Sequence, residues 1–202
     1  IAFREKRPQL NRILSIVNVP ELKGIEYVTR EERAMVRIGA LTSHARLADS
    51  PIIHKEFPAV AMAADHVGSQ QIRNRGTIGG NLANASVGGD MVPLMVLLHA
   101  EMEIMNSNGE IRVVPMEEFL LGAGRTVLGS QDILLAVYIP VTGKSSCFHK
   151  LGARDEVTIA DISLCLTWTV REGKLCQVEG VMGAVDGRPV WIDAVRQYLE
   201  GR

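Results

Sequence analysis

Aromatic residues and excess charge are both scarce in this 202-residue chain. Phe, Trp and Tyr together make up 4% of the residues, and the formal net charge is −1. So few aromatic rings leave no stacking platform for bases, and balanced charge produces no field that attracts nucleic acid or a membrane surface. We therefore expect neither nucleic acid nor a lipid surface as a partner.

Cysteines are few as well. Cys147, Cys165 and Cys176 are widely spaced and include no C-x-x-C pair, so we expect free thiols and no metal or iron–sulfur site from this chain alone. Free thiols, the lack of a recognisable signal peptide and the shortness of the apolar runs predict a cytoplasmic protein without a membrane span. The chain begins at Ile1 rather than at Met, which indicates a processed or trimmed piece.

What the chain has instead is a glycine-rich stretch, QIRNRGTIGGNLANASVGGD, over residues 71–90. It stands between two apolar segments predicted to be helices, Pro58–Val67 and Met91–Leu98, so we expect a surface loop. Within it, the sequence T-I-G-G-N at 77–81 offers successive backbone N–H groups, a hydroxyl and an amide, which are the parts of an anion-binding nest. A structural loop whose glycines make two tight turns is the alternative. Neither G-x-G-x-x-G nor a Walker loop is present.

Charged residues lie within and at the end of this stretch. Arg73 and Arg75 could neutralise a phosphate or anchor loop carbonyls; anchoring is favoured for Arg75, and both roles stay open for Arg73. Asp90 is predicted to cap the next helix, which is compatible with ligand binding because a carboxylate has two oxygens. The histidines share no metal-ligand spacing and are expected to be surface or capping residues (His44, His54 and His66).

Alternating polarity and turn signals predict strands on both sides of the glycine-rich stretch. Two hairpins are expected, Ile25–Thr29 with Ala34–Ile38 and Glu101–Met105 with Glu110–Val114. Thr42 is predicted to cap a helix over 43–48. Further elements are predicted as strands at Ile13–Val17 and Ile133–Ile139 and as a short helix at Met116–Leu121.

A Gly-, Ser- and Lys-containing segment, 141–146, is interpreted as a linker, so we divide the chain into residues 1–143 and 144–202. In the second part, Ile162–Val170 alternates in polarity and predicts a strand with one buried face. A turn at Gly173 leads it back into a second strand. A helix over Pro189–Leu199, stopped by Gly201, is predicted to follow.

The motif I-R-N-x-x-T-I-G-G-N-L-A-N-A-S, followed by Asp90, resembles the FAD-binding subunit of molybdenum hydroxylases. That family includes the medium chain of carbon monoxide dehydrogenase and the flavin domain of xanthine dehydrogenase. The resemblance extends from Ile13 to Arg202. It implies an α+β fold: an FAD-binding domain of the vanillyl-alcohol-oxidase/PCMH type over 1–143, lacking its first glycine-rich loop, and the start of an antiparallel-sheet-and-helix C-terminal domain. The family pattern indicates truncation at both ends.

The same resemblance implies which residues bind the cofactor FAD. In the family the T-I-G-G-N loop wraps the pyrophosphate, the following Asp also touches the cofactor, and three later positions meet the flavin. Carried over to this sequence, these are Thr77, Ile78, Gly79, Gly80, Asn81, Asp90, Leu134, Lys150 and Ile159.

The function implied is electron transfer within a molybdenum hydroxylase. Electrons would pass from [2Fe–2S] clusters through FAD to NAD, a quinone or another acceptor, with a molybdopterin-binding large subunit and a [2Fe–2S] small subunit completing a heterotrimer. The residues show no triad or paired acid/base carboxylates, so no catalytic residue is expected. Two alternatives stay open: a stand-alone FAD oxidase with its own substrate, and a non-catalytic assembly fragment.

Overall fold

The structure is a computed structural model that describes residues 14–154 and 157–202. After a 3₁₀ turn at Pro20–Leu22, the strands are β1 (Ile25–Arg30), β2 (Arg33–Gly39), β3 (Glu101–Met105), β4 (Ile111–Pro115), β5 (Leu120–Gly122), β6 (Arg125–Thr126), β7 (Ile133–Pro140), β8 (Ser145–Leu151), β9 (Ile162–Arg171), β10 (Lys174–Gly183) and β11 (Val190–Trp191). The helices are α1 (His44–Ala48), α2 (Pro51–Glu56), α3 (Pro58–Asp65), α4 (Gln70–Arg75), α5 (Ile78–Asn84), α6 (Met91–Leu97), α7 (Met116–Phe119) and α8 (Asp193–Leu199).

The strands form two main antiparallel sheets. The first has five strands in the order β1-β2-β7-β3-β4. The second has four in the order β11-β10-β9-β8, and β5 and β6 form a small separate ribbon. Both predicted hairpins are present, as β1–β2 and β3–β4. The combination of helices with antiparallel sheets confirms the expected α+β class.

Helices connect the two sheets. Helix α3 packs on β8, α6 packs on β9 and β10, and α5 packs on β7 of the first sheet. All seven residues of α6 are buried, as its apolar sequence MVPLMVL requires. Burying one such side chain contributes about 1.5–3 kcal/mol. The two sheets share one apolar core, which contains Ile38 of the first sheet and Val181 of the second.

The predicted linker is shorter than expected, since β8 begins at Ser145. The next residue, Ser146, is buried, and its Oγ accepts a hydrogen bond of 3.1 Å from the Ala59 N–H in the first turn of α3. The N-cap residue of helix α3, Phe57, has no side chain that caps the helix by a hydrogen bond. A side chain of the second sheet therefore caps the N-terminus of a helix that lies far earlier in the chain. The division into two domains at 143/144 stays a prediction.

The glycine-rich stretch is mostly helical, which corrects the expectation of a surface loop. It contains α5 and nearly all of α4. Within α5, Ile78 and Leu82 are spaced by four residues and are both fully buried. Residues at this spacing lie on one helix face, so this pair already indicated a helix that the glycines obscured.

Two other predicted elements differ from the structure. Leu14–Val17 form no strand, and Ile13 lies outside the described residues. Instead of one helix over Pro189–Leu199, the chain forms β11, whose Val190 pairs with Met182 of β10, and the helix begins only at Asp193. Unpaired hydrogen-bonding groups at the edge of β10 favour this extra strand over helix.

Candidate functional site

The turn between α4 and α5, here called the Thr77 turn (residues 76–81), is the first part of the candidate site. Thr77 is the N-cap of α5: its backbone is extended, and its Oγ1 accepts a hydrogen bond of 3.1 Å from the Gly80 N–H. Thr, which is favoured at such positions, satisfies a backbone donor that the helix leaves free. The sequence T-I-G-G-N thus begins a helix.

Most backbone N–H groups of this turn are already engaged within the protein. The Ile78 N–H donates to the Thr42 carbonyl at 3.0 Å, and the Gly79 N–H donates to the Ala40 carbonyl at 2.9 Å. The next two amides donate to the hydroxyl and the carbonyl of the capping residue. The interpretation of residues 77–81 as a run of free backbone N–H groups is therefore wrong for residues 78–81. The donors that the turn still offers are the Thr77 N–H, which makes no hydrogen bond within the described residues, the Thr77 hydroxyl proton and the side-chain amide of Asn81.

The two glycines of the turn serve different needs. A Cβ at Gly79 would lie 2.6 Å from the Ala40 carbonyl oxygen and 2.7 Å from its Cβ, so only glycine allows α5 to approach this backbone. A Cβ at Gly80 would meet only the Thr77 Oγ1, at 3.2 Å, and the residue is exposed. Gly79 is thus a packing glycine, while Gly80 leaves an open surface that a ligand can approach closely.

A large cleft of about 1020 Å³ opens beside this turn. Thr77 lines it, and so do three cations, Lys23, Arg46 and Arg75, and one carboxylate, Asp49. The excess of positive charge suits an anionic ligand. Sequence reasoning missed Lys23 and Arg46, because only the fold brings the end of the 3₁₀ turn and helix α1 to the same cleft.

The structure decides between the two roles left open for Arg73 and reverses the interpretation of Arg75. Arg73 donates to the Gly68 carbonyl at 3.0 Å and to Gln70 Oε1 at 2.9 Å, and it pairs with Asp65 at 3.5 Å. These contacts make it a structural anchor. Arg75, for which anchoring was favoured, is exposed and lines the cleft.

A buried ion pair, here called the Asp90 pair, is the second part of the site. Lys150 Nζ lies 2.8 Å from Asp90 Oδ2, and the two side chains are 7% and 8% exposed. Burial raises the pKa of Asp90, while the Lys150 ammonium opposes this shift by stabilising the ionised form. Asp90 is the N-cap residue of α6, but its side chain makes no cap hydrogen bond, so the predicted capping role is wrong. Its carboxylate binds the lysine instead.

Two buried acceptor atoms in this region have no hydrogen-bond partner among residues 14–154 and 157–202. They are Asp90 Oδ1 and Asn81 Oδ1. A buried acceptor without a donor costs about 1–3 kcal/mol. Both atoms lie near the turn before α6, since a Cβ at Gly89 would come within 3.3 Å of Asn81 Oδ1. This end of the site therefore needs hydrogen-bond donors from a ligand or a solvent molecule.

The segment after β8 lies against the same turn. A Cβ at Gly88 would come within 2.6 Å of Ile159 Cγ2, so glycine permits the contact. Ile159 itself is 77% exposed, which leaves its side chain free to cover a ligand. Beside it, a second cavity of about 350 Å³ is lined by apolar residues and by basic residues, one of which is Lys150.

Leu134 lies on β7, opposite Ile104 of β3, and is 7% exposed. It packs in the main apolar core. Its side chain is therefore occupied by packing, and only its backbone remains for the predicted contact.

His44 corrects the expectation for the histidines. It is buried, with 2% exposure, and burial lowers its pKa from 6.5 to about 4. Its backbone N–H donates to the Gly76 carbonyl at 3.0 Å, and a Cβ at Gly76 would lie 3.2 Å from its ring. The neutral ring thus packs beneath the Thr77 turn. By contrast, His54 and His66 contact helix carbonyls, as capping residues do.

The described part of the chain contains no group of three or more side chains that could hold a metal ion. Its cysteines are free, and burial raises the pKa of the Cys147 and Cys165 thiols, which makes them poor nucleophiles. None of the helices described is both long enough and apolar enough to cross a membrane.

Comparison with known proteins identifies this arrangement. Residues 1–142 match the family described as "FAD binding domain in molybdopterin dehydrogenase". The nicotinate dehydrogenase FAD-subunit of Eubacterium barkeri is 33% identical over 192 residues, which is 92% of this chain and 64% of that protein. The carbon monoxide dehydrogenase medium chain of Hydrogenophaga pseudoflava is 36% identical over 145 residues, covering 71% of this chain and 49% of that protein.

Solved structures agree in fold. Quinoline 2-oxidoreductase from Pseudomonas putida 86 has a TM-score of 0.82 at 30% identity, over 93% of this chain and 64% of that one. The Cu,Mo-CO dehydrogenase has a TM-score of 0.80 at 31% identity, over 92% of this chain and 63% of that one. The expected fold is confirmed, and the chain spans less than two thirds of the length of each of these relatives.

Proposed function

The chain belongs to the family of FAD-binding domains of molybdopterin dehydrogenases, so FAD is its cofactor, and we propose that it is the electron-transferring flavin subunit of a molybdenum hydroxylase. The proposal concerns the activity of an assembled enzyme. The names of the relatives state such an activity for those proteins. It does not require a catalytic acid or base in this chain.

The residues of the site fit the chemistry of FAD. The cofactor has a charged pyrophosphate, several hydroxyl groups and a flat ring. The cleft beside the Thr77 turn is lined by Lys23, Arg46 and Arg75, which suit phosphate charge. The observation that carries the proposal is the buried Asp90 Oδ1, to which no donor in the described part of the chain is bonded and to which a hydroxyl or N–H of the cofactor would donate.

The proposed binding residues fall into two groups. Thr77, Ile78, Gly79, Gly80 and Asn81 belong to the Thr77 turn, where the Thr77 hydroxyl and the Asn81 side-chain amide donate and Gly80 permits close approach. The remaining residues, Asp90, Leu134, Lys150 and Ile159, form the part proposed to surround the flavin ring. The buried members Ile78, Gly79 and Leu134 act by fixing the backbone of their neighbours.

FAD, when bound, supplies the redox chemistry, accepting electrons and passing them on. The chain's own residues bind the cofactor, orient it and exclude water from one side. The Asp90 pair places a fixed negative charge and a fixed positive charge in a buried environment, where both act more strongly than in water.

We further propose the setting of this subunit. Electrons would arrive from the [2Fe–2S] clusters of a small subunit, which itself receives them from a molybdopterin-binding large subunit, and leave to NAD, a quinone or another acceptor. A heterotrimer in the cytoplasm is the proposed assembly. Support comes from the relatives' names, which describe FAD-subunits and medium chains of dehydrogenases.

A titration with FAD tests the cofactor assignment. The purified protein is mixed with FAD, and binding is followed by flavin fluorescence and by visible absorbance after desalting. We expect one FAD per chain, with Asp90→Asn weakening binding by about 10- to 100-fold because a charged acceptor is lost. Glu103→Gln is the matched control. The Glu103 carboxylate accepts a hydrogen bond from Tyr138 on the first sheet, so its substitution should leave FAD affinity unchanged.

The outcome also separates the alternatives. Failure of the wild-type protein to bind FAD would favour a non-catalytic assembly module. Flavin bound and reduced directly by a small substrate, without partner subunits, would favour a stand-alone oxidase.

A further inference from the structure

Lys150 has no hydrogen-bonding capacity left for a ligand. Its ammonium donates to Asp90 Oδ2 at 2.8 Å, to the His66 carbonyl at 2.9 Å and to the Thr158 carbonyl at 3.3 Å. An ammonium group has three N–H donors and no acceptor. All three are thus engaged within the protein, and the side chain is 7% exposed.

These three acceptors belong to three separate parts of the chain. Asp90 immediately precedes α6, His66 immediately follows α3, and Thr158 lies in the segment between β8 and β9. One ammonium therefore holds together two helix ends and a loop. The loop contact continues at Ile159, which rests against Gly88.

Asp90 is left with one free oxygen. Its Oδ2 is held by Lys150, whereas its Oδ1 is buried and without a partner in the described residues. Since a carboxylate is acceptor-only when ionised, this oxygen is set to receive a donor from the cofactor. The orientation of Oδ1 depends on the ion pair that fixes the other oxygen.

We propose that Lys150 is a positioning residue: it does not bind the flavin itself but orients Asp90 toward a hydroxyl or N–H donor of FAD and tethers segment 158–160 over the site. This rests on the proposed FAD-binding function. It differs from the expectation of direct contact, because it requires every effect of Lys150 on FAD affinity to pass through Asp90 or the tether.

A double-mutant cycle on FAD affinity tests the dependence on Asp90. Wild type, Lys150→Met, Asp90→Asn and the double variant are titrated with FAD by flavin fluorescence. We expect each single variant to bind about 10- to 100-fold more weakly, and the double variant to bind within about threefold of Asp90→Asn alone. Affinity losses that multiply would overturn the proposed orientation of Asp90 by Lys150, because they would show that Lys150 acts on FAD affinity independently of this carboxylate.

A ligand-free measurement tests the tether. Arg154 is exposed and offers trypsin a cleavage site within the segment that the Thr158 contact restrains. Lys150→Met should be cut there about tenfold faster than wild type, whereas Lys150→Arg, which keeps the charge, should be cut more slowly than Lys150→Met. Unchanged cleavage in Lys150→Met would overturn the tether. Because no FAD is present, this result stands even if the wild-type protein fails to bind FAD, an outcome that would refute the proposed function instead.

Discussion

The Thr77 turn and the Asp90 pair are both polar, yet the protein stabilises them in different ways. The Thr77 turn satisfies its amides with neutral acceptors, one of them the hydroxyl of the same turn. The Asp90 pair joins opposite charges that are 60 positions apart in sequence and more than nine-tenths buried. A neutral local network loses little when one member is removed, but a buried charge depends on its single partner. The two parts should therefore respond very differently to substitution.

Removing the lysine should have the largest effect on folding. Lys150→Met leaves Asp90 as a buried carboxylate without its counter-charge, which should destabilise the protein by about 3–5 kcal/mol. The double variant Lys150→Met/Asp90→Asn should regain much of this loss because the uncompensated charge is gone. Urea unfolding of both variants measures the difference, and a loss below about 1 kcal/mol for the single variant would contradict a buried pair.

Acid should weaken the protein through His44, beneath the Thr77 turn. Burial depresses its pKa from 6.5 to about 4. Between these two pH values His44 is therefore protonated in the unfolded chain and neutral in the folded one. This contribution is complete above pH 6.5 and is lost as the pH falls toward 4, by about 3 kcal/mol in all. His44→Gln should flatten that part of the stability–pH curve, measured by urea unfolding, while His54→Gln should not.

Alanine substitutions at the two adjacent glycines should separate the effect of packing on stability from the effect of ligand access on FAD affinity. Gly79→Ala places a methyl against the Ala40 backbone and should destabilise the protein by about 1–3 kcal/mol. Gly80→Ala meets only a hydroxyl, so its stability should stay within about 1 kcal/mol of wild type. Thermal unfolding measures both. If Gly80 faces FAD, its alanine variant should nevertheless bind FAD more weakly in the fluorescence titration.

The smallest effect is expected at the cap. Thr77→Val removes the oxygen that accepts from the Gly80 N–H and should cost about 1 kcal/mol. Thr77→Ser, which keeps the oxygen, should stay close to wild type in urea unfolding. A loss for Thr77→Val as large as that for Lys150→Met would contradict the difference drawn between the two parts of the site.

Sequence reasoning succeeded where partners are close along the chain. The hairpin β3–β4 follows from alternating polarity around an Asn-Gly-containing turn, and its residues pair nearly as predicted. The glycine-rich stretch was predicted to be the centre of the site, which stays a prediction, and its helices were missed. Those helices are short, and two glycines disguise the buried pair Ile78 and Leu82.

Long-range contacts could not be predicted in the same way. Nothing in the local sequence indicates that Lys150 holds Asp90, that Arg73 is an anchor while Arg75 faces a cleft, or that His44 is buried. Each depends on which elements the fold brings together. The resemblance to a known family placed Lys150 and Asp90 in one site, and the structure shows the contact that joins them.

The hydrogen bond from the Ala59 N–H to Ser146 Oγ has a consequence for how the protein folds. It joins the first turn of α3 to β8, two elements on opposite sides of the predicted linker. A fragment that stopped at residue 143 would lose this contact, and with it the strand that covers α3. The cooperative unit therefore extends beyond the end of the first sheet. We expect the two parts to unfold in a single transition, and the second sheet to be needed before the helices of the candidate site become stable.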